Sequence, residues 1–218
     1  MNAKSKENLE LACRDYEVIV VDLDDTLTLA TGLEEFLSFH LQRMYGPIGM
    51  LKTKLVSILL KPLRKLGLCD DTLFRIYVDL LLLGEKYHSL RTSALLYVRN
   101  IIKERRIRLD LLSHLRECQR NFRILVLATS NVDLLASLIS RYFGFHYFVA
   151  SEIGCTSTCY LKNRIAGPRK VLEIVKLVKR LVKDFNKVIY IADEWSIATE
   201  KSKRVFKNIV VVDSVAYR

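Results

Sequence analysis

Half of the 218 residues are hydrophobic and only 8 glycines and 3 prolines interrupt them, which excludes a disordered chain and allows one well-buried core with a smaller inserted module. Lys and Arg outnumber Asp and Glu by 35 to 24, and the resulting charge of +11 favours anionic partners: phosphorylated metabolites, nucleic acid or an anionic membrane surface. No apolar run approaches the roughly 20 residues that cross a bilayer. Residues 1–17 are polar and of mixed charge, without a secretion signal, so the expected location is cytoplasmic, with at most peripheral membrane contact. In that compartment Cys13, Cys69, Cys118, Cys155 and Cys159 are expected to be reduced thiols.

Residues 16–22 read Y-E-V-I-V-V-D, a β-branched run too short for a helix and continuous enough for a strand covered on both faces. From Leu33 to Leu115 the spacing is helical and almost without strand signal, far more chain than one crossover helix needs. Residues 122–128, F-R-I-L-V-L-A, form the next strand and lead through Thr129 and Ser130 into a helical pattern over 132–142. Three more short strands are expected over 145–150, 187–192 and 208–213, separated by helices. Strands and helices alternating at these lengths predict an α/β fold with a doubly wound, mainly parallel, Rossmann-like sheet. The excess chain after the first strand predicts an inserted all-helical cap: residues 1–32 and 110–218 form the core, and 33–109 the cap.

In such a sheet ligands bind beyond the carboxyl ends of the strands, and Asp22, Thr129 and Asp193 all fall there. Asp22 and Asp24 stand two apart where the first strand runs out. Two carboxylates at that place suit Mg²⁺ together with phosphate, because Mg²⁺ prefers oxygen ligands and completes its octahedron from water and substrate. A carboxylate is also able to attack phosphorus and form an aspartyl-phosphate. Asp-rich turns are common after strands for the simpler reason that Asp stabilises turns.

The run V-V-D-L-D-D-T-L-T resembles the D-x-D-x-T signature of the haloacid dehalogenase superfamily. The resemblance implies that Asp22 is the nucleophile and a Mg²⁺ ligand. It further implies that Asp24 protonates the leaving group and then activates water, its backbone carbonyl on the metal, while Thr26 helps to hold the loop. The second family motif is a Ser or Thr that binds a phosphate oxygen; L-V-L-A-T-S-N supplies Thr129, with Ser130 able to substitute and Asn131 beside it. One of these three is also expected to cap the following helix. The third motif is a Lys that neutralises phosphate and nucleophile, and A-G-P-R-K-V-L places Lys170 in a first helical turn, where a cation works against the helix dipole. Arg169, or a merely solvated Lys170, is the alternative there. The fourth motif gives Asp193 for the metal, but Ile197 stands where a second acid is common, leaving Glu194 as a substitute.

A helical insertion between the first two motifs resembles the phosphoserine-phosphatase-like branch. The stretch T-L-A-T-G-L-E-E-F-L, followed by basic leucine-rich helices, is most similar to members that act on lipid phosphates or are fused to prenyltransferases. The resemblance implies a magnesium-dependent phosphomonoesterase acting on a phosphorylated metabolite or lipid phosphate. The alternatives are a phosphotransferase with the same core, or a worn phosphatase core that binds nucleic acid, the less favoured partner, or an anionic membrane. Residues 48–66 hold Lys52, Lys54, Lys61, Arg64 and Lys65 and no acid, the composition of a surface-lying amphipathic helix or of a solvated basic cap face. The four histidines, His40, His88, His114 and His146, show no ligand spacing.

Overall fold

The computed structural model of the chain describes residues 13–29, 32–65, 70–193 and 204–212. Its strands are β1 (Val18–Asp22), β2 (Ile124–Val132), β3 (Tyr147–Cys155), β4 (Cys159–Asn163), β5 (Val188–Ala192) and β6 (Ile209–Val211). They form one sheet in the order β4-β3-β2-β1-β5-β6, with every pair parallel except β3–β4. The helices are α1 (Gly32–Tyr45), α2 (Pro47–Lys65), α3 (Asp70–Leu82), α4 (Tyr87–Lys103), α5 (Leu109–Arg120), α6 (Asp133–Phe143) and α7 (Gly167–Leu181). This is the doubly wound α/β architecture that the alternation of elements predicts.

All five residues of β1 are buried, because alternate side chains enter different layers. Val18 and Val20 pack with Val171, Ile174 and Val178 of α7, whereas Ile19 and Val21 join Phe36, Leu37, Leu111 and Leu115 from α1 and α5. A strand with apolar layers on both sides reads as the unbroken run V-I-V-V. The chain leaves β1 for β2, β3 and β4 on one side and returns to β5 and β6 on the other. The order of connection therefore reverses at β1/β5, and the carboxyl end of β1 opens at that switch point.

Helices α1 to α5 lie between β1 and β2, and their apolar faces belong to the same hydrophobic cluster as one face of the sheet. Within them His40 is fully buried. Its Nε2 lies 2.8 Å from Glu85 Oε2 and its Nδ1 2.7 Å from Ser93 Oγ, while the Tyr45 hydroxyl donates to Glu85 Oε1 at 2.9 Å. Burial, only partly offset by Glu85, holds the imidazole pKa below its usual value.

The structure differs from the sequence expectation in several places, among them the length of β3, expected over 145–150 and found over Tyr147–Cys155. β4 is additional: C-Y-L-K-N buries only Cys159 and Leu161, so its composition is too polar to stand out as a strand. It is nonetheless held on both edges. Beyond its pairing with β3, Cys159 N donates to Glu85 O, Leu161 N donates to Asp79 Oδ1, Arg75 donates to Lys162 O, and Arg164 pairs with Asp71 at 2.6 Å. β2 runs on through Thr129, Ser130 and Asn131, its register against β3 shifting between Ala128 and Val132. A further difference is in the cysteines: Cys13 is joined to Cys118, with Cα atoms 4.5 Å apart, and Cys155 to Cys159, at 4.1 Å. The expectation of reduced thiols is corrected for these four. The fold brings Cys13 onto α5 across 105 residues, and the β3–β4 hairpin sets Cys155 directly opposite Cys159, neither of which spacing alone discloses.

Candidate active site

β1 ends at Asp22 and the chain doubles back at once, with Leu27 N and Thr28 N both donating to Leu23 O. Asp25 takes the left-handed conformation this turn requires (φ 58°), which Asp tolerates better than most residues, and Arg108 donates to its carbonyl. The doubling back turns Asp24 toward β2, where Thr129 Oγ1 donates to Asp24 Oδ2 at 3.0 Å and accepts from Asn131 N. Asp22, 2% exposed, accepts at Oδ1 from Leu23 N and from Lys170 Nζ, the latter at 2.9 Å. Lys170 lies in the first turn of α7, after Ala166 at the N-cap and Pro168. The buried Thr26 hydroxyl accepts from Asp193 N at 2.8 Å, tying the loop to the end of β5.

Lys170 on Asp22 and Thr129 on Asp24 thus make two hydrogen-bonded pairs drawn from three chain positions far apart in sequence, with buried Asp193 laced to the loop that carries both acids. Ser130 and Asn131 line the adjoining cleft. The expectation that Thr129, Ser130 or Asn131 caps α6 is corrected. The N-cap is Val132 and no side chain caps it, since the strand continues four residues further than the apolar run suggests. Asn131 Oδ1 instead accepts from Val132 N. Glu194 and Ile197, on which the question of a second acid turns, lie outside the described residues.

Electrostatics separates the two acids of the signature. Burial, and then the charge of Asp22, push the Asp24 carboxyl up to about 6, against hydrogen bonds from Thr129 and Asn131 that favour its anion. Burial opposes the charge on Lys170, but the Asp22 carboxylate more than reverses this, so its pKa stands above the usual lysine value. Tyr190, buried in β5, is pushed up by burial and by Asp22, and stays a neutral phenol. Asp25 is raised by burial first and then by the charge of Asp193, with a smaller push from Asp22.

Among the described residues no group of three or more Asp, Glu, His or Cys side chains forms a ready metal cage. Mg²⁺ does not require one, being content with one or two carboxylates, a carbonyl and waters. Asp22, Asp193 and the Asp24 carbonyl are an all-oxygen set of that kind; burial first, and then the charges of Asp22 on Asp24 and of Asp193 on Asp25, raise those two carboxyls, and the charge part is what a divalent cation relieves. The residues therefore fit such an ion in chemistry.

Above Asp24 and Asp25 lies a cleft of about 410 Å³ whose far wall is Leu33, Glu34, Phe74 and Arg164. The Arg164 guanidinium sits 3.9 Å over the Phe74 ring while pairing with Asp71. The sequence reading missed Arg164, Phe74, Arg108 and Tyr190. The basic composition hides the arginines, and an apolar strand pattern hides Tyr190.

No protein-family model and no curated protein matches the chain. Solved structures do match in fold. A HAD-family hydrolase from Salmonella enterica serovar Typhi superposes with a TM-score of 0.60 at 12% identity, over 91% of this chain and 68% of that one. A substrate-bound phosphoserine phosphatase gives 0.55 at 12% identity over 89% and 92%, and a phosphoserine phosphatase carrying a phospho-aspartyl intermediate analogue gives 0.55 at 12% over 90% and 93%. The chain has the haloacid dehalogenase fold of the phosphoserine-phosphatase type.

Proposed function

We propose, starting from that shared fold, that the chain is a magnesium-dependent phosphomonoesterase that works through an aspartyl-phosphate on Asp22. The observation that carries the proposal is the arrangement itself: Lys170 on Asp22 and Thr129 on Asp24, with Asp24, Ser130 and Asn131 lining the cleft beside them. In this reading an Asp22 carboxylate oxygen attacks phosphorus, the bond from phosphorus to the ester oxygen breaks, and Asp24 delivers its proton to the departing oxygen. A carboxyl held near 6 retains a proton to give at the pH where the next step needs a base. Asp24 then takes a proton from water as that water attacks the aspartyl-phosphate, and Asp22 is released with inorganic phosphate. Lys170 balances the charge on Asp22 and on the incoming phosphate, and the Thr129 hydroxyl turns its one proton from Asp24 to a phosphate oxygen when substrate enters. Mg²⁺, held by Asp22, the Asp24 carbonyl and Asp193, would neutralise phosphate charge and hold it in line for attack.

The substrate is a phosphorylated metabolite or a lipid phosphate, and the helical insert, which gives Leu33, Glu34 and Phe74 to the far wall of the cleft, selects it. A panel of both substrate types, assayed for phosphate release with Mg²⁺ and with excess chelator, tests the reading. Release that needs Mg²⁺ and vanishes in Asp22→Asn is expected. Full release in chelator would refute the metal assignment, and full release by Asp22→Asn would refute the nucleophile.

A further inference from the structure

The composition of 48–66 leaves two arrangements open, a solvated basic face or an apolar face turned outward, and the structure shows the second. α2 gives the interior only a narrow strip. Gly49 and Val56 are buried, with Gly49 set so close to α1 that a side chain there would overlap the Leu41 carbonyl. On the other side Ile48, Leu51, Leu55, Ile58 and Leu59 are 72%, 53%, 49%, 58% and 65% exposed. At about 100° per residue these five fall within an arc of roughly 100°, a continuous aliphatic stripe pointing to solvent. Lys52 does not join it: its ammonium turns aside to the carbonyls of Leu81 and Leu83, which sets the exposed Leu83 beside the stripe. An aliphatic surface of this kind is unusual on a monomer that stays in water.

We propose that α2 docks this protein, in the plane of the surface, on an anionic lipid membrane. The charge in the sequence of the helix decides between occupants. α2 carries Lys52, Lys54, Lys61, Arg64 and Lys65 and no Asp or Glu, in a chain of net charge +11. A second copy of the same face would bring like charges together, whereas an anionic bilayer accepts the aliphatic side chains among its acyl chains and the lysines among its headgroups. No helix among the described residues is long and apolar enough to cross a membrane, and α2, at about 28 Å, has the length to lie along one. The proposal rests on α2 alone and does not need the phosphatase reading.

Co-sedimentation with vesicles tests it, using phosphatidylcholine alone and an equal mixture of phosphatidylcholine and phosphatidylglycerol. Binding to the mixed vesicles, weakened by salt, is expected. The triple variant Leu51→Ser, Leu55→Ser, Ile58→Ser should lose about a hundredfold or more in partitioning, and Lys54→Gln about fivefold. Both should keep the circular dichroism and thermal midpoint of the parent, since these side chains face solvent. Lys54→Gln serves as the readout if the triple variant does not fold. Three results would overturn the proposal: no binding by the parent, binding that neither variant weakens, or a dimer in light scattering that the triple variant dissolves while vesicles bind neither form.

Discussion

Replacing Asp22 by asparagine separates the chemistry of this site from its stability. The Lys170 ammonium and the Asp22 carboxylate are 2.9 Å apart with side-chain exposures of 9% and 2%, so the pair is shielded from water. The amide introduced by Asp22→Asn would still offer an oxygen to the ammonium but no charge, leaving a buried cation without its nearest counter-charge. Breaking a buried pair in this way costs about 3–5 kcal/mol. For a chain of this length each kcal/mol moves the thermal midpoint by about 2–4 °C, so Asp22→Asn should melt roughly 6–20 °C below the parent. The double variant Asp22→Asn, Lys170→Met removes both charges and should recover most of that loss, because a buried ion pair contributes little net stability over an apolar pair. Phosphate release should be absent from both variants. Melting curves in chelator, run beside a phosphate-release assay, read both quantities. An Asp22→Asn protein that melts with the parent, or a double variant no more stable than the single, would show that the pair is not the buried, coupled unit described.

Asp24→Asn should stabilise the metal-free protein at pH 7.5 while lowering turnover about 10²–10⁴-fold. The folded state holds the Asp24 proton more tightly than the unfolded one, so this group's stabilising effect is complete below 3.8 and lost as pH rises through about 6. The difference is about 3 kcal/mol at pH 7.5 and well under about 1 kcal/mol at pH 4; equal melting shifts at both pH values would contradict it. Arg164→Ala should leave turnover of a small soluble phosphate ester unchanged and lower kcat/KM at least about tenfold for esters whose leaving group is anionic or aromatic; a uniform effect on both would remove Arg164 from substrate selection. Thiol titration of the denatured, unreduced protein should count one thiol among the five cysteines, and a count of five would exclude both disulfides.

The parts of the fold that sequence discloses are those with a one-body signature. β1 is legible because burial on both faces leaves no polar position, and Asp22 because its carboxylate follows that run immediately. Lys170 stands out because a lysine in a first helical turn opposes the helix dipole. What sequence hides depends on two distant segments meeting. β4 has an ordinary alternating composition and owes its place to α3 and the turn after it as much as to β3. His40, Glu85 and Ser93 satisfy one another across 45 and 53 residues, so no spacing rule links them. Sequence places the start of α6 too early because Thr-Ser-Asn is strong capping chemistry, and here the sheet competes successfully for that backbone.

The attachment of β4 to the insert limits how the cleft is able to widen. The wall opposite Asp24 comes partly from α1 and α3 and partly from Arg164, just after β4, and those pieces are bolted together by Cys159 N to Glu85 O, Leu161 N to Asp79 and Arg164 to Asp71. Swinging the insert away alone would strand two strand amides, at roughly 1–3 kcal/mol apiece if they stayed dry. Any widening of the cleft is therefore expected to carry β4 and the insert together and to be taken up where β3 pairs with β2. A substrate too large for the cleft is then sensed at the seam between β2 and β3: wedging the cleft open should speed deuterium uptake at the β3 amides that pair with β2, while those of Cys159 and Leu161, bonded to the insert, stay protected.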